Sequence, residues 1–288
     1  MKAALIGFGE VGQVLGNDLA AADVSVYDTL FHKPRSEPAR CAETSRCTAA
    51  QSAPEAVGGA QVVISAVTVD RAIDAAQSVQ SALKPGAWFM DLNSASPQVR
   101  RTQAALIEGG GGRYVEVAVM SPINPKRLGA PLLLGGRYAE EFSTIARALG
   151  FTAAEFYSTE LGQASAAKLC RSVLIKGFES LLAESLVAAR HFGVEQTVLA
   201  SLKGFPGTQD WDAAATYNLS RTVKHGARRS AEMAEAAATV AQSGVEPTMA
   251  AACAKKQAWA AGYATALESE SLGAMLDALG PDKGNSRE

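Results

Sequence analysis

Lys2-Ala3-Ala4-Leu5-Ile6-Gly7-Phe8-Gly9-Glu10-Val11-Gly12 stands almost at the start of the chain. Lys2–Ile6 is a short apolar run of the kind that forms a buried strand, and Val11–Ala21 has the apolar spacing of a helix. The glycines at the junction have separate tasks. Gly7 permits a tight turn, Gly9 lets a ligand come close to the backbone, and Gly12 lets the helix pack against the strand. Val24–Tyr27 then reads as a second strand, closed by Asp28, about 20 residues after the first glycine.

Working outward, the polar stretch from Phe31 to Ser52 reads as a loop around a short strand or helix. Val62–Val67 is a continuous run dominated by β-branched residues, as expected of a strand buried on both faces. Ala72–Leu83 reads as helix, Trp88–Leu92 as strand and Pro97–Glu108 as helix; Tyr114–Val119 and Pro131–Leu134 read as further strands. This alternation implies an α/β Rossmann domain with a mostly parallel, doubly wound sheet. From Gly162 to Gly193 the pattern is one long helix. Alanine-rich helices follow over Glu195–Leu202, Trp211–Ala241 and Pro247–Leu279, interrupted at Phe205–Thr208 and Ser243–Val245. The expected division is therefore 1–160 for the Rossmann domain and 161–288 for an all-α C-terminal domain opened by the long helix. The last eight residues, PDKGNSRE, read as a polar tail.

The strand–turn–helix setting makes Gly7-Phe8-Gly9-Glu10-Val11-Gly12 a dinucleotide site, with pyrophosphate expected at the helix N-terminus. Asp28 would bind both ribose hydroxyls and repel a 2′-phosphate, so NAD is expected over NADP. His32, Lys33 and Arg35 follow closely enough to leave NADP open. Val67 and Thr68 fall near the adenosine side. A formal charge of −2 gives no reason to expect nucleic acid or an anionic membrane as partner. No apolar run reaches the roughly 20 residues of a membrane helix, and a cytoplasmic protein is expected. Cys41, Cys47, Cys170 and Cys253 are scattered, and with His32, His191 and His225 they form no local metal-ligand spacing. Reduced cysteines and no metal are expected.

Three later segments carry a resemblance: Asp91-Leu92-Asn93-Ser94-Ala95-Ser96-Pro97, then Glu116–Gly136, then Gly162-Gln163-Ala164-Ser165-Ala166-Ala167-Lys168 and onward. In order and content they resemble the β-hydroxyacid dehydrogenases, the family of 3-hydroxyisobutyrate and 6-phosphogluconate dehydrogenases, with a divergent C-terminal third. The resemblance implies that Lys168 is the catalytic general acid/base and that Asn93 and Ser94 touch substrate and nicotinamide. In the family's substrate loop a Ser-Gly-Gly stands where this chain has Met120-Ser121-Pro122, so Ser121 would replace the lost hydroxyl. The family's asparagine one turn after the lysine is Ser172 here, preceded by Arg171. A Lys-Asp pair on a C-terminal family helix has its loose counterpart around His225–Met233, where Arg229 would stand in for the lysine and His225 would contact substrate. The family also implies a homodimer, built here on the alanine-rich helices.

The chemistry stands without the family. Oxidising an alcohol sends hydride to a nicotinamide while a base takes the hydroxyl proton, and reduction reverses both. A lysine, ordinarily at roughly 10.4, needs burial or neighbouring cations to serve near neutral pH. Arg171 and Lys176 would supply such charge. Asn93 and Ser94 can hydrogen-bond a carboxylate or hydroxyl, unless Ser94 or Ser96 caps the helix opening at Pro97. Arg171 could pair with a substrate carboxylate or form a salt bridge. The expectation is an NAD(P)-dependent oxidoreductase of a small hydroxy-acid-type substrate. Its rivals are an NADPH-dependent glyoxylate- or imine-type reductase, a decarboxylating sugar-acid dehydrogenase and a non-catalytic NAD-binding sensor.

Overall fold

The structure is a computed structural model that describes residues 1–21, 23–33, 35–202, 210–242 and 244–280. The expected break at Phe205–Thr208 and the expected C-terminal tail lie outside the described residues. The chain divides into two compact units, Met1–Leu169 and Cys170–Glu288, later than the residue 160 expected.

The first unit is an eight-stranded sheet in the order β3-β2-β1-β4-β5-β6-β7-β8. Its strands are β1 (Lys2–Ile6), β2 (Asp23–Tyr27), β3 (Thr48–Ala49), β4 (Val62–Ser65), β5 (Trp88–Asp91), β6 (Arg113–Val119), β7 (Leu132–Gly135) and β8 (Ala154–Ser158). Every neighbouring pair is parallel except β6–β7. The helices are α1 (Glu10–Asp18), α2 (Glu37–Thr44), α3 (Ala53–Val57), α4 (Ala72–Val79), α5 (Pro97–Gly109) and α6 (Ala139–Ala148), followed by the start of α7 (Gln163–His191).

Serines set several of these helices. Ser36, Ser52 and Ser96 each accept a backbone N–H three residues on, and each is followed by a proline within the first turn. A serine cap satisfies one of the N–H groups a helix start leaves open, and proline loses nothing there. Two cores lie on the two faces of the sheet. One gathers Leu5, Leu15, Val26, Ile64, Met90 and Phe142; the other gathers Ala4, Val63, Phe89, Ile107 and Tyr114. The strand β4 contributes alternately to both, which is why its sequence shows no polar face. At the far end of α1, Arg46 donates to the carbonyls of Gly16, Leu19 and Ala21, and Asp18 forms a two-pronged pair with Arg127.

In the second unit α7 continues to His191 and is followed by α8 (Glu195–Ser201), α9 (Trp211–Gln242), α10 (Thr248–Ala260) and α11 (Leu272–Leu279). The single helix expected over Pro247–Leu279 is broken: a turn at Ala261 and Gly262 leads into a short 3-10 segment, Ala264–Glu268. The alanine-rich faces of α9 and α10 meet each other. A Cβ at Gly226 would lie 2.4 Å from the Gln257 carbonyl oxygen, so the two helices pack closely there. Leu182, Leu186, Leu219, Trp211 and Leu276 form the core.

Candidate functional site

In this sheet order the chain leaves β1 in one direction and β4 in the other, and ligands of such sheets bind beyond the carboxyl ends of the strands at that switch. Gly7 stands there with φ +97, and a Cβ on it would come within 2.4 Å of the Ala66 carbonyl oxygen, just past β4. Gly9, the first residue of the α1 turn, has no side chain to cap the helix, is exposed, and would place a Cβ in open space. The α1 N-terminus is thus bare backbone with room beside it, which fits a pyrophosphate. Phe8 is different. Its side chain is buried in the core against Phe31, so only its backbone belongs to the loop. Glu10 is exposed and Val11 packs on the core edge.

Asp28 directly follows β2, and its carboxylate braces the loop. Oδ2 accepts from Phe8 N at 2.8 Å and Oδ1 from Leu30 N at 2.8 Å. Each oxygen keeps a lone pair for a ribose hydroxyl. His32, Lys33 and Arg35 are exposed just beyond. Thr68 is exposed as well, while Val67 N donates to Asn93 Oδ1 at 2.8 Å.

The segment after β5 separates the expected roles of its residues. Asn93 is 2% exposed, and its Nδ2 donates to Ser65 Oγ at 2.9 Å. Both ends of its amide therefore tie β5 to β4. Ser96 takes the helix cap, accepting from Val99 N. That leaves Ser94, half-buried, whose Oγ accepts from Lys168 Nζ at 2.7 Å. The structure brings together these two expected site residues from segments 74 positions apart. Ser121 is half-buried and bonds locally to the Pro122 carbonyl at 3.1 Å.

Beneath this pair lies a charged network that sequence reasoning missed. Arg100 is fully buried and pairs with Asp91 at 2.7 Å. It also donates to the carbonyls of Asp91, Asn93 and Val117 and, through Nε, to Ser165 Oγ at 2.9 Å. Tyr114 donates its hydroxyl to Asp91 at 2.8 Å. Burial and the Asp91 charge push its phenol well above the usual range. Burial alone disfavours the Arg100 charge, but Asp91, Tyr114 and Glu116 outweigh it and raise its pKa. Glu116, also buried, accepts from Gly162 N at 2.5 Å and from Ser165 N. Arg100 lies in phase with the buried Gln103, Ala104 and Ile107 of α5. A charge on the apolar side of an amphipathic helix was the available signal.

The remaining expected residues belong to the second unit. Arg171 is exposed and Ser172 half-buried. Lys176 does not serve as a loose cation, because it pairs with Glu232, which also pairs with Arg228 at 2.6 Å. Arg229 is buried in an ion pair with Glu179. His225 is half-buried, with Nε2 unpartnered. Burial and the cations Arg221, Arg228, Arg229 and Lys224 depress its pKa to about 4. The four cysteines are free, and no metal-binding group of His, Cys, Asp and Glu occurs among the described residues. No helix among them is long and apolar enough to cross a membrane.

Residues 2–162 match the family described as the NAD binding domain of 6-phosphogluconate dehydrogenase, and residues 189–260 match a domain of unknown function, DUF1932. The crystal structure of a conserved hypothetical protein from Sinorhizobium meliloti 1021 is 34% identical, covering 97% of this chain and 95% of that one, with a TM-score of 0.72. The Mycobacterium tuberculosis 3-hydroxyisobutyrate dehydrogenase with L-serine shares the fold at 20% identity, covering 96% and 98%, with a TM-score of 0.71. Mitochondrial 3-hydroxyisobutyrate dehydrogenase of Bos taurus is 24% identical over 148 residues, which span 51% of this chain and 44% of the bovine one. With the glycine turn, the switch-point loop and the bare α1 N-terminus in place, the chain belongs to the β-hydroxyacid dehydrogenase family, as a divergent member with its NAD(P)-binding domain.

Proposed function

We propose that the chain is an NAD(P)-dependent oxidoreductase interconverting an alcohol and a carbonyl on a small hydroxy-acid-type substrate, with Lys168 as general acid/base. The observation that carries this reading is the 2.7 Å contact between Lys168 Nζ and Ser94 Oγ, which lie on the two segments expected to meet substrate. The nicotinamide cofactor, when bound, supplies the hydride acceptor or donor. The loop shaped by Gly7, Gly9 and Gly12, with the α1 N-terminus at Gly9, would hold its pyrophosphate and Asp28 its ribose. In oxidation the Lys168 amine takes the substrate hydroxyl proton, and in reduction the ammonium returns it to the carbonyl oxygen. Ser94 accepts from Lys168 and keeps its own O–H to donate to the substrate's acid group. Asn93, with its amide engaged, would hold the Ser94 backbone in place rather than bind substrate through its side chain.

We also read the second unit as the substrate half of a homodimer. Leu174, Phe178 and Leu181 are exposed on α7 at 74%, 39% and 56%, spaced to share one face. Sedimentation of the wild type beside Leu174→Lys tests this: a monomer in both refutes it.

The functional test is fluorescence titration with NADH and with NADPH, on wild type and Asp28→Ala, followed by turnover of short hydroxy acids. Tight NADH binding that weakens in Asp28→Ala, with turnover lost in Lys168→Ala, supports the proposal. Preferential NADPH binding favours the reductase reading, in which the exposed His32, Lys33 and Arg35 take the 2′-phosphate. Full turnover in Lys168→Ala removes Lys168 from the chemistry.

A further inference from the structure

We propose that Glu116 and Arg100 are positioning residues that clamp the first turn of α7 and thereby set where the Lys168 amine sits. The proposal rests on the reading of Lys168 as acid/base. Three elements converge on that turn. The Glu116 carboxylate, from β6, takes the backbone N–H groups of Gly162 and Ser165, two of the donors a helix start leaves without partners. The negative charge also lies at the positive pole of the helix. β7 makes room by carrying Gly135, where a Cβ would come within 3.2 Å of Glu116 Oε2 and 3.4 Å of the Ala164 methyl. From α5, Pro97 closes on Gly162, whose φ of +101 and missing Cβ allow the approach.

Arg100 ties both ends of the Lys168–Ser94 contact. One arm holds the Asn93 carbonyl, next to Ser94, and Nε holds Ser165 Oγ, three residues before Lys168. A buried cation with one ion-pair partner and five hydrogen-bonded anchors, on β5 and the residues just after it, on β6 and on α7, has little freedom to shift. Lys168 is therefore placed by a dry framework rather than by its own flexible stem, and Glu116 and Arg100 act through it without touching substrate.

Glu116→Gln and Ser165→Ala test this beside Lys168→Ala. Glu116→Gln keeps the volume but points an amide N–H₂ at one backbone donor; Ser165→Ala removes only the Arg100 contact. The readouts are the rate at which an acetylating N-hydroxysulfosuccinimide ester modifies Lys168, followed by peptide mass spectrometry across pH, hydrogen exchange of the Gly162–Ser165 amides, and NADH affinity. Loss of a hydrogen bond to a charged group predicts acetylation of Lys168 faster by on the order of tenfold in Glu116→Gln, with faster exchange and unchanged NADH affinity. Ser165→Ala shifts the acetylation rate the same way by less, and decides the matter if Glu116→Gln does not fold. Lys168 reactivity and exchange identical to wild type in the folded variants overturn the clamp. Turnover surviving in Lys168→Ala instead overturns the acid/base reading and leaves the clamp to the acetylation result.

Discussion

A methyl group on Gly12 would lie 2.2 Å from the carbonyl oxygen of Gly7, whereas one on Gly9 would meet nothing within 4 Å. The two glycines of one motif are thus needed for different reasons. Gly12→Ala should destabilise the fold by about 3 kcal/mol, the upper end of overpacking, because the obstacle is backbone. Gly9→Ala should keep the wild-type melting temperature and weaken NADH binding by roughly tenfold, since the added methyl fills the space left for phosphate. Thermal melts and NADH titration of both variants separate the effects. Equal losses of stability would contradict the division.

Lys168 and Ser94 should differ in how much they matter. Removing a general acid/base costs about 10²–10⁴-fold in kcat, so Lys168→Met should fall in that range with NADH affinity retained. Ser94→Ala should raise KM for the acid substrate and lower kcat by roughly tenfold, as loss of one hydrogen bond to a charged group would. Steady-state kinetics on the hydroxy acid that turns over best provides the comparison. A larger loss in Ser94→Ala than in Lys168→Met would reverse the roles.

The buried Arg100–Asp91 pair predicts a stability effect unrelated to surface charge. Arg100→Met leaves the buried Asp91 carboxylate without its ion-pair partner. Breaking a buried pair from one side costs about 3–5 kcal/mol. Urea unfolding followed by tryptophan fluorescence should show that loss, and a change below about 1 kcal/mol would mean the network is not built as described.

His225 should give an acid limb to stability. Its pKa falls from 6.5 to about 4 on folding, through burial first and the surrounding arginines and lysine second. The unfolded chain therefore binds the proton more readily, and the stability from a neutral His225, full above 6.5, is lost as pH falls toward 4. Melting temperatures across this window should drop more steeply for wild type than for His225→Gln. Parallel curves would show that His225 is not held neutral.

How much could be read in advance followed how locally each feature is encoded. The β1–α1 turn was legible because its glycines, strand and helix are contiguous. β8 was not: Ala154–Ser158 is an edge strand exposed over most of its length, and Glu155 breaks its apolar run. The α10–α11 break was hidden because alanine is helix-permissive on both sides of Gly262. Lys168 and Ser94 were named through their segments, and the structure joins them by a hydrogen bond. Glu116 and Arg100 escaped because charged residues are usually solvated, and their partners lie 49 and 65 positions away.

The attachment of Arg46 to a carbonyl in the last turn of α1 and to two just past its end bears on ion binding at the opposite end. The helix macrodipole has a negative pole there, worth about half a charge, and a guanidinium lying on three carbonyls neutralises it. Asp18, which would otherwise deepen that pole, is matched by Arg127. With the negative end quenched, α1 faces its ligand as a single positive pole. An anion arriving at Gly9 is attracted without the opposing field from nine residues away that an uncapped short helix would impose.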